Sequence, residues 1–182
     1  MDSRIITVPN VLSLIRIYLT LPIVVFFWLG NYKVVFIVLV LAYVTDAVDG
    51  FVARQFNQVS DWGKILDPLG DKVLSTSVSL LLLQKGILDL YFVVLVVLRD
   101  FLISVFSVKK IKNEKFVFQA VFVGKLLTLL LAILYSLSVL VLVKLIPLGA
   151  VKILQFVCML LVIVSGAYYL IIYLKSDKNA SQ

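Results

Sequence analysis

Ten acidic residues are spread along this 182-residue chain, and five of them fall between positions 46 and 71. Four of the five form two pairs, Asp46/Asp49 and Asp67/Asp71. Spacings of three and four residues set each pair on one face of a helix. Converging carboxylates in a chain that is 63% hydrophobic would not all stay ionised without cations between them. Two divalent ions resolve that repulsion and are the usual equipment for displacement at phosphorus. The chain has no histidine, and its single cysteine, Cys158, lies in a late apolar run. Any metal donors are therefore oxygens, which suit Mg²⁺ or Mn²⁺ better than zinc. Gly50 and Gly63 allow close approach by backbone or ligand. Arg54, one turn beyond the first pair, offers a forked donor to a phosphate. A purely structural Asp/Arg/Lys network is the competing account of the same residues.

The elements that must carry these acids are apolar. With 15% charged residues, the chain is expected to be an all-α integral membrane protein, one domain over residues 1–182. The net charge of +7 comes from cations scattered at segment ends, which suits membrane topology and gives no nucleic-acid surface. Six spans of about 20 residues are expected at 9–29, 32–54, 63–84, 88–108, 116–143 and 150–174. The first is too long for a signal h-region, carries Arg16, and reads as a retained span. Residues 175–182 read as a flexible tail.

If the termini share a side, nine cations gather there: Arg4, Arg54, Lys64, Lys109, Lys110, Lys112, Lys115, Lys175 and Lys178. Four gather opposite: Lys33, Lys85, Lys144 and Lys152. That asymmetry places both termini and the acidic stretch on the cytoplasmic face of a cell membrane. The basic linker from Lys109 to Lys115 reads as a topology signal and a contact for anionic lipid. Phe26, Phe27, Trp28, Tyr32, Tyr168, Tyr169 and Tyr173, near span ends, read as interfacial anchors. At 1.5 Å per residue, Asp46 and Asp71 lie roughly 10–13 Å in from their helix ends, and Arg99 and Lys125 roughly 13–15 Å. Acids and cations then share one layer. Buried charges persist when paired, metal-bound or beside water, so the expectation is a six-helix bundle with a polar cavity open to the cytoplasm.

The spacing D-x2-D-G-x2-A-R-x8-G-x3-D-x3-D resembles the signature of the CDP-alcohol phosphotransferases. Asp46, Asp49, Gly50, Ala53, Arg54, Gly63, Asp67 and Asp71 match all eight fixed positions, a coincidence expected about once in 10¹⁰ starts. The resemblance implies transfer of a phosphatidyl group from a CDP-linked lipid to an alcohol, with release of CMP and use of Mg²⁺ or Mn²⁺. It implies metal ligation by Asp46, Asp49, Asp67 and Asp71, with Asp71 also the general base. The CDP part would be held by Gly50, Ala53, Arg54, Ser60 and Gly63, helped by Asn10 in the segment Pro9-Asn10-Val11-Leu12. It also implies a homodimer.

Within the family, P-N-V-L-S-L-I-R-I, T-D-x-V-D-G-F-x-A-R and D-P-L-G-D-K most resemble bacterial phosphatidylglycerophosphate synthases. These take CDP-diacylglycerol and glycerol 3-phosphate. L-R-D-F-L-I-S at 98–104 resembles both those enzymes and single-enzyme cardiolipin synthases. G-K-L-L-T at 124–128 resembles a G-K-x-K-T element without its second lysine. Arg99 and Lys125, at catalytic depth, are the candidate contacts for a phosphate-bearing acceptor; Arg99 and Asp100 as a plain intramembrane ion pair is the alternative. Phosphatidylglycerol, inositol phosphate and serine remain alternative acceptors. From other classes, a divalent-cation transporter and a non-catalytic scaffold compete. A transporter is expected to carry polar residues in both membrane halves, whereas here the extracytoplasmic half is nearly all apolar.

Overall fold

Long apolar runs with few internal breakers become six helices: α1 (Val8–Trp28), α2 (Tyr32–Phe56), α3 (Gly63–Gln84), α4 (Leu90–Ser107), α5 (Glu114–Leu142) and α6 (Leu148–Lys178). A computed structural model describes residues 8–56, 63–107 and 114–178, with side-chain surroundings for 14–45, 70–103 and 123–171. The basic linker at 108–113 and the last residues, 179–182, lie outside the described residues. Helix boundaries fall within four residues of the six expected spans. The largest difference is at α6, which runs on to Lys178. Nothing between Leu174 and Lys178 breaks a helix, and Lys175 and Lys178 suit the negative end of the helix dipole.

Three connections share one device. After α1, Gly30 N–H donates to the Phe27 carbonyl (3.1 Å) and Asn31 N–H to the Phe26 carbonyl (2.9 Å). After α3, Gly86 donates to Leu83 (2.9 Å) and Ile87 to Leu82 (3.0 Å). After α5, Lys144 donates to Val141 (2.9 Å) and Leu145 to Leu140 (3.0 Å). Each is a Schellman closure, which satisfies terminal carbonyls through one left-handed residue. Gly30 (φ 73°) and Gly86 (φ 69°) adopt that conformation freely, whereas Lys144 (φ 63°) does so with a side chain.

α1 packs on α2 and α3; α3 also meets α4 and α5; α2 meets α5; and α6 closes the bundle against α4 and α5. The buried stripe of α6 repeats at Val151, Gln155, Cys158, Val162 and Ser165, a helical period with one face turned inward. The outward face is as apolar as the core, with Leu129, Ile133, Ile153, Phe156 and Leu160 all exposed. Exposed apolar area on that scale marks a surface made for something other than water. The stretches 123–142 and 148–171 are long and apolar enough to cross a membrane. Among the expected anchors, Trp28 is exposed, but Phe27 is buried. Its ring meets Tyr32 edge-on at 5.5 Å, with the Lys85 ammonium 5.9 Å from both rings.

At the turn end of the bundle, Asp89 ties α4 to α6. Its carboxylate accepts hydrogen bonds from Lys152 Nζ (2.8 Å) and Gln155 Nε2 (2.6 Å). Those bonds, Lys152 first and then Gln155, hold the Asp89 carboxyl below the usual carboxylate value.

Candidate active site

The acids divide between two consecutive helices. Asp46 and Asp49 lie in the second half of α2, and Asp67 and Asp71 in the first half of α3. The seven-residue step from Phe56 to Gly63 keeps the two helix ends within about 25 Å. The side chains of Asp46, Asp49, Asp67, Asn10, Ala53 and Arg54 lie outside the described residues, as do the surroundings of Gly50 and Gly63; Ser60 lies outside altogether.

Asp71 is described, and it has a partner that the sequence reading did not assign. Arg16 Nη1, from α1, donates to Asp71 Oδ1. The arginine side chain is 6% exposed and the aspartate side chain 54% exposed. The guanidinium is thus buried under a carboxylate that still faces outward. One turn on, buried Thr20 donates its hydroxyl to the Arg16 carbonyl (3.1 Å). Depth carries the missed signal. Arg16 lies seven residues into the first expected span and Asp71 eight into the third, so each is roughly 10–12 Å along its helix from the start of that span.

The second charged node joins three helices. Arg99 on α4 is 7% exposed. Its Nη1 donates to Asp100 Oδ1 (2.7 Å), and its Nη2 and Nε approach Ser165 Oγ on α6 at 3.2 and 3.4 Å. It meets α5 at Gly124, where a Cβ would stand 3.2 Å from Arg99 Nη2 and 3.8 Å from the Tyr169 hydroxyl. Lys125 is exposed, so Gly124 is the α5 position that faces Arg99. The Arg99–Asp100 ion pair, the alternative to an acceptor contact for Arg99, forms. Tyr169, expected as an interfacial anchor, instead turns its hydroxyl toward this node.

Elsewhere in the core, Ser79 on α3 and Tyr135 on α5 share a buried hydrogen bond of 2.7 Å. Ser79 also bonds the Ser75 carbonyl at 2.7 Å. A serine hydroxyl has one proton, so Ser79 donates to Ser75 and accepts from Tyr135. Polar groups that bridge helices in this way hold the helix that carries Asp67 and Asp71 against α5.

Whether the acids suit a metal turns on donor chemistry. All four are carboxylates, and the thiol of Cys158 is buried on α6, so the set fits a hard divalent cation. The half-exposed Asp71 carboxylate is open to a ligand while its charge is balanced from beneath.

The sequence model of the CDP-alcohol phosphatidyltransferase family matches residues 6–171, which takes in α1 to α5, most of α6 and both acidic pairs. The chain belongs to that family. It is similar to the CDP-diacylglycerol–glycerol-3-phosphate 3-phosphatidyltransferase of Rickettsia typhi, at 37% identity over 99 residues, covering 53% of this chain and 56% of that protein. The protein of the same name from Aquifex aeolicus is 45% identical over 69 residues, covering 37% of this chain and 38% of that one. A Schizosaccharomyces pombe cardiolipin synthase (CMP-forming)/mitochondrial hydrolase fusion protein is 34% identical over 102 residues, covering 56% of this chain and 17% of the fusion. The chain spans about half the length of the Rickettsia proteins it matches.

Proposed function

We propose that this chain catalyses transfer of the phosphatidyl group of CDP-diacylglycerol to glycerol 3-phosphate, giving phosphatidylglycerophosphate and CMP. The observation that carries the reading is the complete eight-position signature, set on two consecutive helices of a chain that belongs to the CDP-alcohol phosphatidyltransferase family. The names of the Rickettsia and Aquifex relatives favour glycerol 3-phosphate among the possible alcohols.

In this reading all six helices cross the membrane as one single-domain bundle, with both termini and a polar cavity on the cytoplasmic side. Two copies of the bundle pair as a homodimer. Asp46, Asp49, Asp67 and Asp71 would hold two divalent cations, Mg²⁺ or Mn²⁺. When bound, these supply positive charge against the diphosphate. Arg54 offers its fork to the diphosphate, while Gly50, Ala53 and Gly63 keep the path clear, and Asn10 and Ser60 hold the rest of the CDP group.

Asp71 accepts the proton of the acceptor hydroxyl. The alcohol oxygen bonds to the phosphorus that carries diacylglycerol, and the bond from that phosphorus to the CMP oxygen breaks. No covalent enzyme intermediate is needed. Arg99 binds the acceptor's phosphate, and Lys125, exposed on α5 beside the Gly124 that faces Arg99, is the second candidate contact. Asp100 and Ser165 fix the Arg99 guanidinium, so little side-chain freedom remains to be lost when the acceptor arrives.

The test is CMP release by purified protein with CDP-diacylglycerol and Mg²⁺. Release should require an added alcohol, and Asp71→Asn should abolish it while CDP-lipid still binds. No release with any acceptor would sink the enzyme reading. Metal flux into proteoliposomes without lipid substrate would favour the transporter.

A further inference from the structure

Arg16 is the buried charge that the proposed reaction leaves unused. It lies on α1, the helix that packs on both α2 and α3 and so on both carriers of the acidic pairs. Its guanidinium is withdrawn from solvent, while its partner Asp71 stays half exposed. A buried cation is weakly screened and acts strongly on its neighbours. Its donors lie in a planar fork, which fixes direction as well as charge.

We infer that Arg16 is a positioning residue for Asp71 and a competitor of the divalent ion for the same carboxylate. This rests on the reading of Asp71 as metal ligand and base. Two effects follow from one contact, and they have opposite signs. By holding Oδ1, Arg16 fixes the carboxylate where the acceptor hydroxyl must meet it, which favours turnover. By placing a positive charge against a metal ligand, it weakens metal binding. The ion is then held loosely until an anionic diphosphate adds its own charge. A residue that merely supports the fold would behave differently, because its loss would weaken metal binding and turnover together.

The experiment uses full-length protein in detergent or nanodiscs. Mn²⁺ affinity is measured without lipid substrate, by electron paramagnetic resonance, alongside CMP-release kinetics. Arg16→Gln should bind Mn²⁺ at least threefold more tightly and lose at least tenfold in kcat, with both KM values within threefold of the wild type. Arg16→Lys, which keeps the charge and makes a gentler change, should restore kcat to within fivefold and return Mn²⁺ affinity to the wild-type value. Mn²⁺ affinity unchanged or weakened in Arg16→Gln, or kcat within twofold of the wild type, would overturn the inference. A wild-type protein that neither binds Mn²⁺ nor releases CMP would overturn the functional reading, and this inference with it. An active wild type with an unresponsive Arg16→Gln would overturn this inference alone.

Discussion

Replacing Gly124 with alanine would set a Cβ 3.2 Å from Arg99 Nη2 and 3.8 Å from the Tyr169 hydroxyl. The first distance is too tight for an ordinary contact, so the guanidinium must retreat by a few tenths of an ångström. The guanidinium is planar and moves as a unit. Its bond to Asp100 is short at 2.7 Å, whereas its approaches to Ser165 are already long at 3.2 and 3.4 Å. The Ser165 contacts should give way first, at a cost of about 1 kcal/mol. Against this, alanine gains about 1 kcal/mol over glycine in a helix interior. The two terms offset, and Tm in detergent should stay within about 3 °C of the wild type.

Function should respond where stability does not. If Arg99 binds the acceptor's phosphate, displacing it by a fraction of a bond length loses about 1 kcal/mol of that contact. That corresponds to about a fivefold rise in KM for glycerol 3-phosphate. The KM for CDP-diacylglycerol should not move. CMP-release kinetics at varied acceptor concentration make the measurement. An unchanged acceptor KM at unchanged Tm would refute the assignment of Arg99 to the acceptor.

Three further outcomes follow from the packing. Tyr135→Phe leaves Ser79 bonded to the Ser75 carbonyl and Ser79→Ala leaves the Tyr135 hydroxyl with the Ser75 side chain as partner, so each should cost only about 0.5–1 kcal/mol; unfolding in detergent showing a loss above about 2 kcal/mol for either would contradict that shared bonding. Lys144→Gly relieves a left-handed residue at φ 63° and should raise Tm by about 2–4 °C, from a gain of up to about 1 kcal/mol; a lower Tm would count against it. The Asp89 carboxyl is held below its usual 3.8, first by Lys152 and then by Gln155, so its stabilisation is present above the unfolded-state value and lost as pH falls through the folded-state value. Asp89→Asn, at a half-exposed site, should cost a few tenths of a kcal/mol at pH 7, less in high salt and nothing well below pH 3.8; a cost that persists in acid would contradict the pairing.

Much of this was legible in the sequence because long apolar helices announce themselves. Hydropathy runs, Gly30, Gly86 and Pro147 punctuate the chain, and the turns at Gly30 and Gly86 close with the left-handed glycine their residue type favours. The turn at Lys144 was not legible, since nothing about a lysine signals a positive φ. The acids could be placed on α2 and α3 because spacing fixes a helix face. Pairing across helices was harder. Arg16 with Asp71, Arg99 with Ser165 and Tyr135 with Ser79 depend on helix rotation and on which helices touch. A stripe of apolar residues defines rotation poorly when the outward face is apolar too. Depth along the helix was the usable signal, and it ranks candidates without choosing among them. Gly124 shows the same limit, because spacing brought Lys125 to notice while the fold turned its neighbour toward Arg99.

The central claim is that these residues move a phosphatidyl group onto glycerol 3-phosphate. The most direct measurement incubates the purified protein with CDP-diacylglycerol and Mg²⁺ and offers glycerol 3-phosphate, phosphatidylglycerol, inositol phosphate or serine separately. CMP and the lipid product are followed by mass spectrometry. Glycerol 3-phosphate alone should give CMP and phosphatidylglycerophosphate in equal amounts. Turnover with phosphatidylglycerol, inositol phosphate or serine in place of glycerol 3-phosphate would contradict the account.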